Sequence, residues 1–116
     1  MSAWSHLPNA HHIDWVLESV TENPELWDAA WLATRSAVGL AAWLATRDAA
    51  LYAARCEASD AIAALVAYDD CDQFLSMSYE KLRVWSILSK DPRAVLLLPM
   101  VYVKERLNEH RLVTSA

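Results

Sequence analysis

This 116-residue chain contains a single glycine, four prolines, two cysteines and one phenylalanine. With so little glycine and proline, the chain can form few tight turns. This disfavours a β-sandwich or barrel built from many hairpins. One glycine also excludes a glycine-rich phosphate-binding loop. Cys56 and Cys71 form neither a disulfide framework nor the CxxC spacing of a zinc site. The absences therefore favour an all-α protein.

Basic residues are also in the minority, since 10 Lys and Arg stand against 15 Asp and Glu for a net charge of −5. This balance argues against general affinity for nucleic acid, where Lys and Arg neutralise phosphates. The longest apolar run, Ala94–Val103, is about half a membrane span. Met1–Ala10 lacks the basic start and apolar core of a signal peptide. We expect a cytoplasmic protein that does not enter membranes.

An alanine-rich array of four-residue units occupies Leu26–Arg55. The heptapeptide AAWLATR occurs there twice, at Ala29–Arg35 and at Ala41–Arg47, and its residues are good helix formers. A four-residue period drifts by about 40° per unit on a helix, so the leading Trp and Arg residues form a spiral. A seam of Leu and Ala stays on one face instead. We interpret the seam as the core contact and the Trp/Arg spiral as its surroundings.

The start of this array is well marked, and its end is not. Asn23-Pro24 is a strong helix start, and we expect a repeat helix over residues 24–57. An unbroken helix to Tyr68 would be about 67 Å long, whereas a domain of this size has a radius of gyration of only about 13 Å. We expect a break near Glu57–Ser59, with Gly39 as the alternative, unless the protein is an extended oligomer.

Four further segments complete the prediction. Asn9 is expected to cap a first helix that follows an arm at residues 1–8, and Ser59 to cap a third helix reaching about Phe74. Ser78 is expected to cap a helix that buries Leu82, Trp85 and Leu88. Asp91-Pro92 predicts a last, buried helix to about Asn108, kinked at Pro99 and followed by a tail at 112–116, with a buried strand over Val95–Val103 as the rival. The result is one all-α domain, 1–116, of about five helices around the long Ala/Leu/Trp helix.

The candidate binding residues come from the Trp/Arg spiral and from an acidic loop. They are Trp27, Trp31, Arg35, Trp43, Arg47, Arg55, Asp69, Asp70 and Asp72. Trp31/Arg35 and Trp43/Arg47 have the i,i+4 spacing of cation–π pairs. Such pairs support the helix locally, line a groove for a planar anion such as a nucleotide, or provide hot spots for a partner protein.

The acidic loop has two interpretations of its own. Its carboxylates could bind a hard cation or a partner's Arg or Lys, although the loop lacks the glycine and downstream Glu of an EF-hand. Acids are unfavourable at a helix C-terminus. We therefore expect Asp69 and Asp70 to have partners within the protein, such as Arg83 or Arg93.

Histidine and cysteine residues give no catalytic or metal-binding pattern. His11 and His12 are adjacent on a predicted helix and should diverge by about 100°, so they are not expected to chelate together, with or without His6. Cys71 has no placed histidine partner and is not expected to be a nucleophile. We expect no metal, no cofactor and no enzymatic activity.

The chain resembles small, uncharacterised alanine-rich helical proteins of bacteriophages and mobile elements. The resemblance rests on the opening WSHLPNAHHIDWVLESV, the array with its AAW and AAR units, and the later segments AYDDCDQFL and DPRAVLLLP. It covers most of the chain but implies no specific activity and no functional residues. Phage accessory proteins of this size often inhibit a host defence system, by binding a protein or by sequestering a signal.

Three functional hypotheses follow. The first is a non-enzymatic interaction protein, a phage-encoded inhibitor that binds a host defence protein through the Trp/Arg spiral and the nearby acids. The second is an oligomeric sponge that holds a nucleotide-like signalling molecule between Trp and Arg. The third is a helical assembly module without a ligand. Self-association into a homo-oligomer is expected in addition to a host partner.

Overall fold

The architecture comes from a computed structural model that describes the backbone of residues 4–54 and 60–115, and the side chains of 4–52 and 61–109. Within these ranges the chain forms seven helices and no strand. The helices are α1 (Ala10–Glu22), α2 (Pro24–Val38), α3 (Leu40–Ala54), α4 (Asp60–Ala67), α5 (Asp72–Leu75), α6 (Tyr79–Ser89) and α7 (Pro92–Ser115). The all-α prediction is confirmed, with seven helices in place of about five.

Gly39 breaks the alanine-rich array. It separates α2 from α3 and has φ 88° and ψ 145°, a conformation that is essentially restricted to glycine. The prediction of a continuous repeat helix over residues 24–57 is therefore wrong, and the alternative prediction of a break at Gly39 is confirmed. The break expected near Glu57–Ser59 lies outside the described residues. With the array divided, the Cα radius of gyration is 13.7 Å, close to that of a compact domain of this length.

Helix α7 is the centre of the bundle, in place of the repeat helix. Residues 94–101 and 103 are buried, and α7 contacts each of α2 to α6. A helix that is apolar on every side can satisfy its surface only by such burial. The strand interpretation of Val95–Val103 is wrong. The helix also continues to Ser115, past the expected end near Asn108 and through most of the expected tail.

Pro99 lies within α7, and the helix continues through this residue. A kink at Pro99 stays a prediction. None of the helices in the described part of the chain is both long enough and apolar enough to span a membrane.

The local start signals place the helices correctly. The helices α1, α2, α6 and α7 begin directly after Asn9, Asn23, Ser78 and Asp91. Ser78 and Asp91 accept backbone hydrogen bonds, from the N–H groups of Lys81 at 3.2 Å and Arg93 at 2.9 Å. The side chains of Asn9 and Asn23 make no cap hydrogen bond. The predicted starts of these four helices and the caps at Ser78 and Asp91 are therefore confirmed, whereas the caps expected from the side chains of Asn9 and Asn23 are wrong.

Two packing expectations need correction. The third helix, expected to reach Phe74, is divided into α4 and α5 by residues 68–71. Its expected cap, Ser59, lies outside the described residues. In α6 only Leu82 of the three expected core residues is buried, while Trp85 and Leu88 are exposed.

Candidate functional site

The tryptophans of the array belong mostly to the core. Trp27 and Trp43 are only 1 % and 4 % exposed. The indole N–H of Trp27 donates to the Ser19 hydroxyl at 2.9 Å, and its ring lies 6.2 Å from the rings of both Trp15 and Trp31, centroid to centroid. Buried aromatic residues of this kind supply packing area. They do not form a groove that a nucleotide or a partner protein could enter.

The two AAWLATR copies have different environments despite their identical letters. Trp31 is half-buried and Trp43 is buried. Only the threonine is buried in both copies: the hydroxyls of Thr34 and Thr46 each donate to the carbonyl four residues earlier, at 2.9 and 3.1 Å. This bond satisfies a hydroxyl inside a packed helix. The Thr and Ala residues of the repeat therefore contribute to helix packing as much as the Trp residues do.

Arg35 and Arg47 of the array do not stack on its tryptophans. Arg35 is exposed, and Arg47 lies 3.5 Å from the Asp48 carboxylate. Arg55 is outside the described residues. The cation–π contacts seen in the described part of the chain join Arg93 to Phe74, Lys104 to Trp15 and Arg106 to Tyr102. The expected Trp31/Arg35 and Trp43/Arg47 pairs are therefore not formed.

The acidic loop has partners within the protein. Asp70 lies 3.9 Å from the Arg93 guanidinium, which agrees with one of the two expected partners. The other, Arg83, instead pairs with Glu80. Asp69 is exposed, and Asp72 contacts His12. Asp70 and Asp72 therefore contact different partners, and no ion pair of Asp69 is found within the described residues.

Cys71 lies buried within this loop. Its thiol donates to the Tyr68 carbonyl with a sulfur–oxygen distance of 3.3 Å. Burial raises the pKa of the Cys71 thiol to about 12, although the nearby Arg93 acts in the opposite direction. Since the thiolate is the reactive form, this environment opposes nucleophilic chemistry at neutral pH.

A cluster of His11, His12 and Asp72 joins the start of α1 to the start of α5. The potential ligand atoms of the three side chains all lie within 4.8 Å of one another. His12 Nε2 is 2.5 Å from Asp72 Oδ1, and the two imidazole centroids are 3.9 Å apart. The expectation that the two adjacent histidines diverge is wrong, because their rings lie next to each other at the start of α1.

Burial and hydrogen bonding shift the pKa values of His12 and Asp72. Burial lowers the pKa of His12, while the hydrogen bond to Asp72 acts in the opposite direction. That same hydrogen bond holds the pKa of Asp72 below its ordinary range. Lys104, whose own pKa is lowered by burial, lies 4.9 Å from the Trp15 ring and is the nearby cation. The result is a neutral imidazole beside a carboxylate, a donor pair that transition metals accept.

Sequence reasoning missed this cluster because 60 residues separate His12 from Asp72. The only local signal was the adjacency of His11 and His12, which by itself argued against a site.

The second feature is an exposed apolar surface, called here the α6 face and formed by Lys81, Val84, Trp85 and Leu88. Together with Met77 and Glu80, these residues line an open groove of about 370 Å³. Trp85 is 46 % exposed and Leu88 is 75 % exposed. A signal for this surface was present, since apolar residues surround α6 and one buried face cannot hold them all.

No protein-family model matches the chain, and no match is found among curated proteins or solved structures.

Proposed function

We propose that this protein is a non-enzymatic binding module that docks on a partner protein through the α6 face. The observation that carries the proposal is the exposure of Trp85 and Leu88 beside an apolar groove. Contiguous apolar surface on a folded domain is typical of an interaction site. Tryptophan is also among the residues that contribute most to protein–protein binding energy.

The proposed occupant is a larger protein with a cleft that covers the exposed face of α6. This helix has 11 residues, so it is about 16 Å long. One face of such a helix offers on the order of a few hundred Å² to a second copy of itself. A stable interface buries about 1,200–2,000 Å² in total, which favours a larger partner that contacts the exposed face of α6 and the surface around it over a symmetric pair of α6 helices.

The resemblance to phage proteins directs the proposal to a host protein, with inhibition of a defence component as the biological role. Binding would then occlude a surface of that component. The nucleotide-sponge alternative draws no support from Trp27 and Trp43, which are buried and cannot stack on a ligand. Self-association stays a prediction.

The test is affinity capture from bacterial lysate with the wild-type chain and two variants. Trp85→Ser combined with Leu88→Ser removes the α6 face, whereas Ile87→Ser changes an exposed apolar residue of α6 that does not line the groove. We expect one protein to bind the wild type and Ile87→Ser but not the double variant. Circular dichroism checks that all three chains are folded.

Two results would contradict the proposal. Equal capture by the double variant would place the interaction elsewhere on the molecule. A purified wild-type dimer that becomes monomeric in the double variant, measured by native mass spectrometry, would show that the α6 face binds a second copy.

A further inference from the structure

The His11–His12–Asp72 cluster brings together three side chains of the types that bind metal ions, two imidazoles and one carboxylate. Two imidazoles come from adjacent residues of α1, and the carboxylate comes from α5, with all potential ligand atoms within 4.8 Å of one another. Neither helix alone could provide this set. His12 is held by packing in the core, whereas His11 and Asp72 are exposed and free to adjust.

We propose that His11, His12 and Asp72 bind a divalent first-row metal ion such as Zn²⁺, and that this ion joins α1 to α5. Two imidazole nitrogens and one carboxylate suit Zn²⁺, which takes imidazole at about 2.0–2.1 Å. Ca²⁺ and Mg²⁺ prefer an all-oxygen set instead. The neighbouring Asp69 and Asp70 are not part of the cluster, so an oxygen-rich site is not assembled.

The required adjustment is small. Donor atoms on a tetrahedral zinc ion are separated by about 3.3 Å, given bonds of about 2.0 Å. The His12–Asp72 pair, now 2.5 Å apart, must open by somewhat less than 1 Å, and the His11 nitrogen must approach. Asp72 can move because its side chain is 80 % exposed.

Two consequences follow from the number and surroundings of the donors. Three protein ligands leave a fourth tetrahedral position for water or another molecule. Lys104 lies on the same side of the molecule and interacts electrostatically with His12 and Asp72. Its positive charge weakens divalent-ion binding, so the site should be of moderate affinity and should not be essential for folding.

The experiment measures Zn²⁺ binding to the full chain by isothermal titration calorimetry after treatment with chelator. We expect one Zn²⁺ per chain and no heat from Mg²⁺. His11→Ala and Asp72→Asn should each weaken Zn²⁺ binding about tenfold or more, since even outer-shell changes weaken metal sites by 10–100-fold. The matched controls His6→Ala and Asp70→Asn are exposed residues outside the cluster and should bind as the wild type does.

Replacement by Co²⁺ gives an independent readout, because its visible absorption reports nitrogen and oxygen coordination. Loss of this absorption in His11→Ala and Asp72→Asn, but not in the controls, supports the site. Absence of Zn²⁺ binding in the wild type overturns the proposal. Binding that survives both cluster substitutions, or that is lost with His6→Ala, overturns it as well.

Discussion

The side-chain amide of Asn9 donates a hydrogen bond to the backbone carbonyl of Leu65, 56 residues further along the chain, at 3.0 Å. The same nitrogen donates to the carbonyl of Tyr68 at 2.7 Å. These carbonyls lie at the C-terminal end of α4, where intrahelical partners run out. Asn9 therefore satisfies the end of α4 and ties α1 to it, although its position marks it as an N-cap of α1.

Asn9→Ala should lower the free energy of unfolding by about 1–3 kcal/mol, because the buried bond to the Leu65 carbonyl is lost and the Tyr68 carbonyl keeps only the Cys71 thiol as a donor. Urea unfolding measures the change. The control is Asn23→Ala, which also changes an asparagine before a helix but removes only a 3.4 Å bond to the Ser19 carbonyl. Equal effects of the two substitutions would contradict the role assigned to Asn9.

Gly39→Ala should lower the free energy of unfolding by about 1–3 kcal/mol, because alanine is strained at a φ of 88°. Steric contact is not the cause, since an added Cβ meets no atom within 4 Å. Thermal or urea unfolding provides the measurement. Ser36→Ala, an exposed change within α2, serves as the control and should be neutral or slightly stabilising. A neutral Gly39→Ala would show that the break tolerates another conformation.

Stability should fall as the pH drops below about 6.5 because of His12. Burial lowers the pKa of His12 in the folded chain below the 6.5 of the unfolded chain. Between these two pKa values the unfolded chain binds more protons than the folded one. The contribution of His12 to stability is complete above pH 6.5 and is lost as the pH falls through the pKa of His12 in the folded chain. Asp72, whose pKa is also lowered, adds a separate loss near and below 3.8. The measurement is the urea midpoint against pH.

His12→Gln should remove the first of these two losses. The groups that face His12 are His11, Asp72 and Lys104, so His11→Gln serves as the comparison and should retain the loss. An unchanged pH profile in His12→Gln would assign the effect to another group.

Cys71 should react very slowly with thiol reagents while the chain is folded. A pKa of about 12 leaves roughly a thousandfold less thiolate at pH 8 than an ordinary cysteine has. The experiment uses the Cys56→Ser background, so that only Cys71 is counted, and follows labelling with and without urea. Fast labelling of the folded chain would contradict the burial of this thiol.

Trp43→Ala should cost about 3–5 kcal/mol of stability, because it empties a buried site of the core. Trp85→Ala should cost far less, since nearly half of that side chain already contacts solvent. Unfolding curves for the two variants measure this contrast. If Trp43→Ala were neutral, the Trp/Arg spiral would again be a candidate surface for binding.

The sequence by itself determined the fold class and the positions where α1, α2, α6 and α7 begin. Pro24 and Pro92 start α2 and α7 because proline suits the first turn, and Ser78 caps α6 through a bond to a residue three positions away. The run that became the buried half of α7 was also visible, because a helix apolar on every side has to be enclosed. All of these properties depend on neighbours in the chain.

Only the tertiary structure decided which tryptophan is buried, how Asn9 is used, and which side chains meet at His12. The two AAWLATR copies cannot be told apart locally, yet α2 and α3 place Trp31 and Trp43 in different surroundings. Asn9 contacts Leu65 and His12 contacts Asp72, over sequence separations of 56 and 60 residues. Such contacts depend on how helices pack after Gly39 divides the array, and local propensity carries no information about that packing.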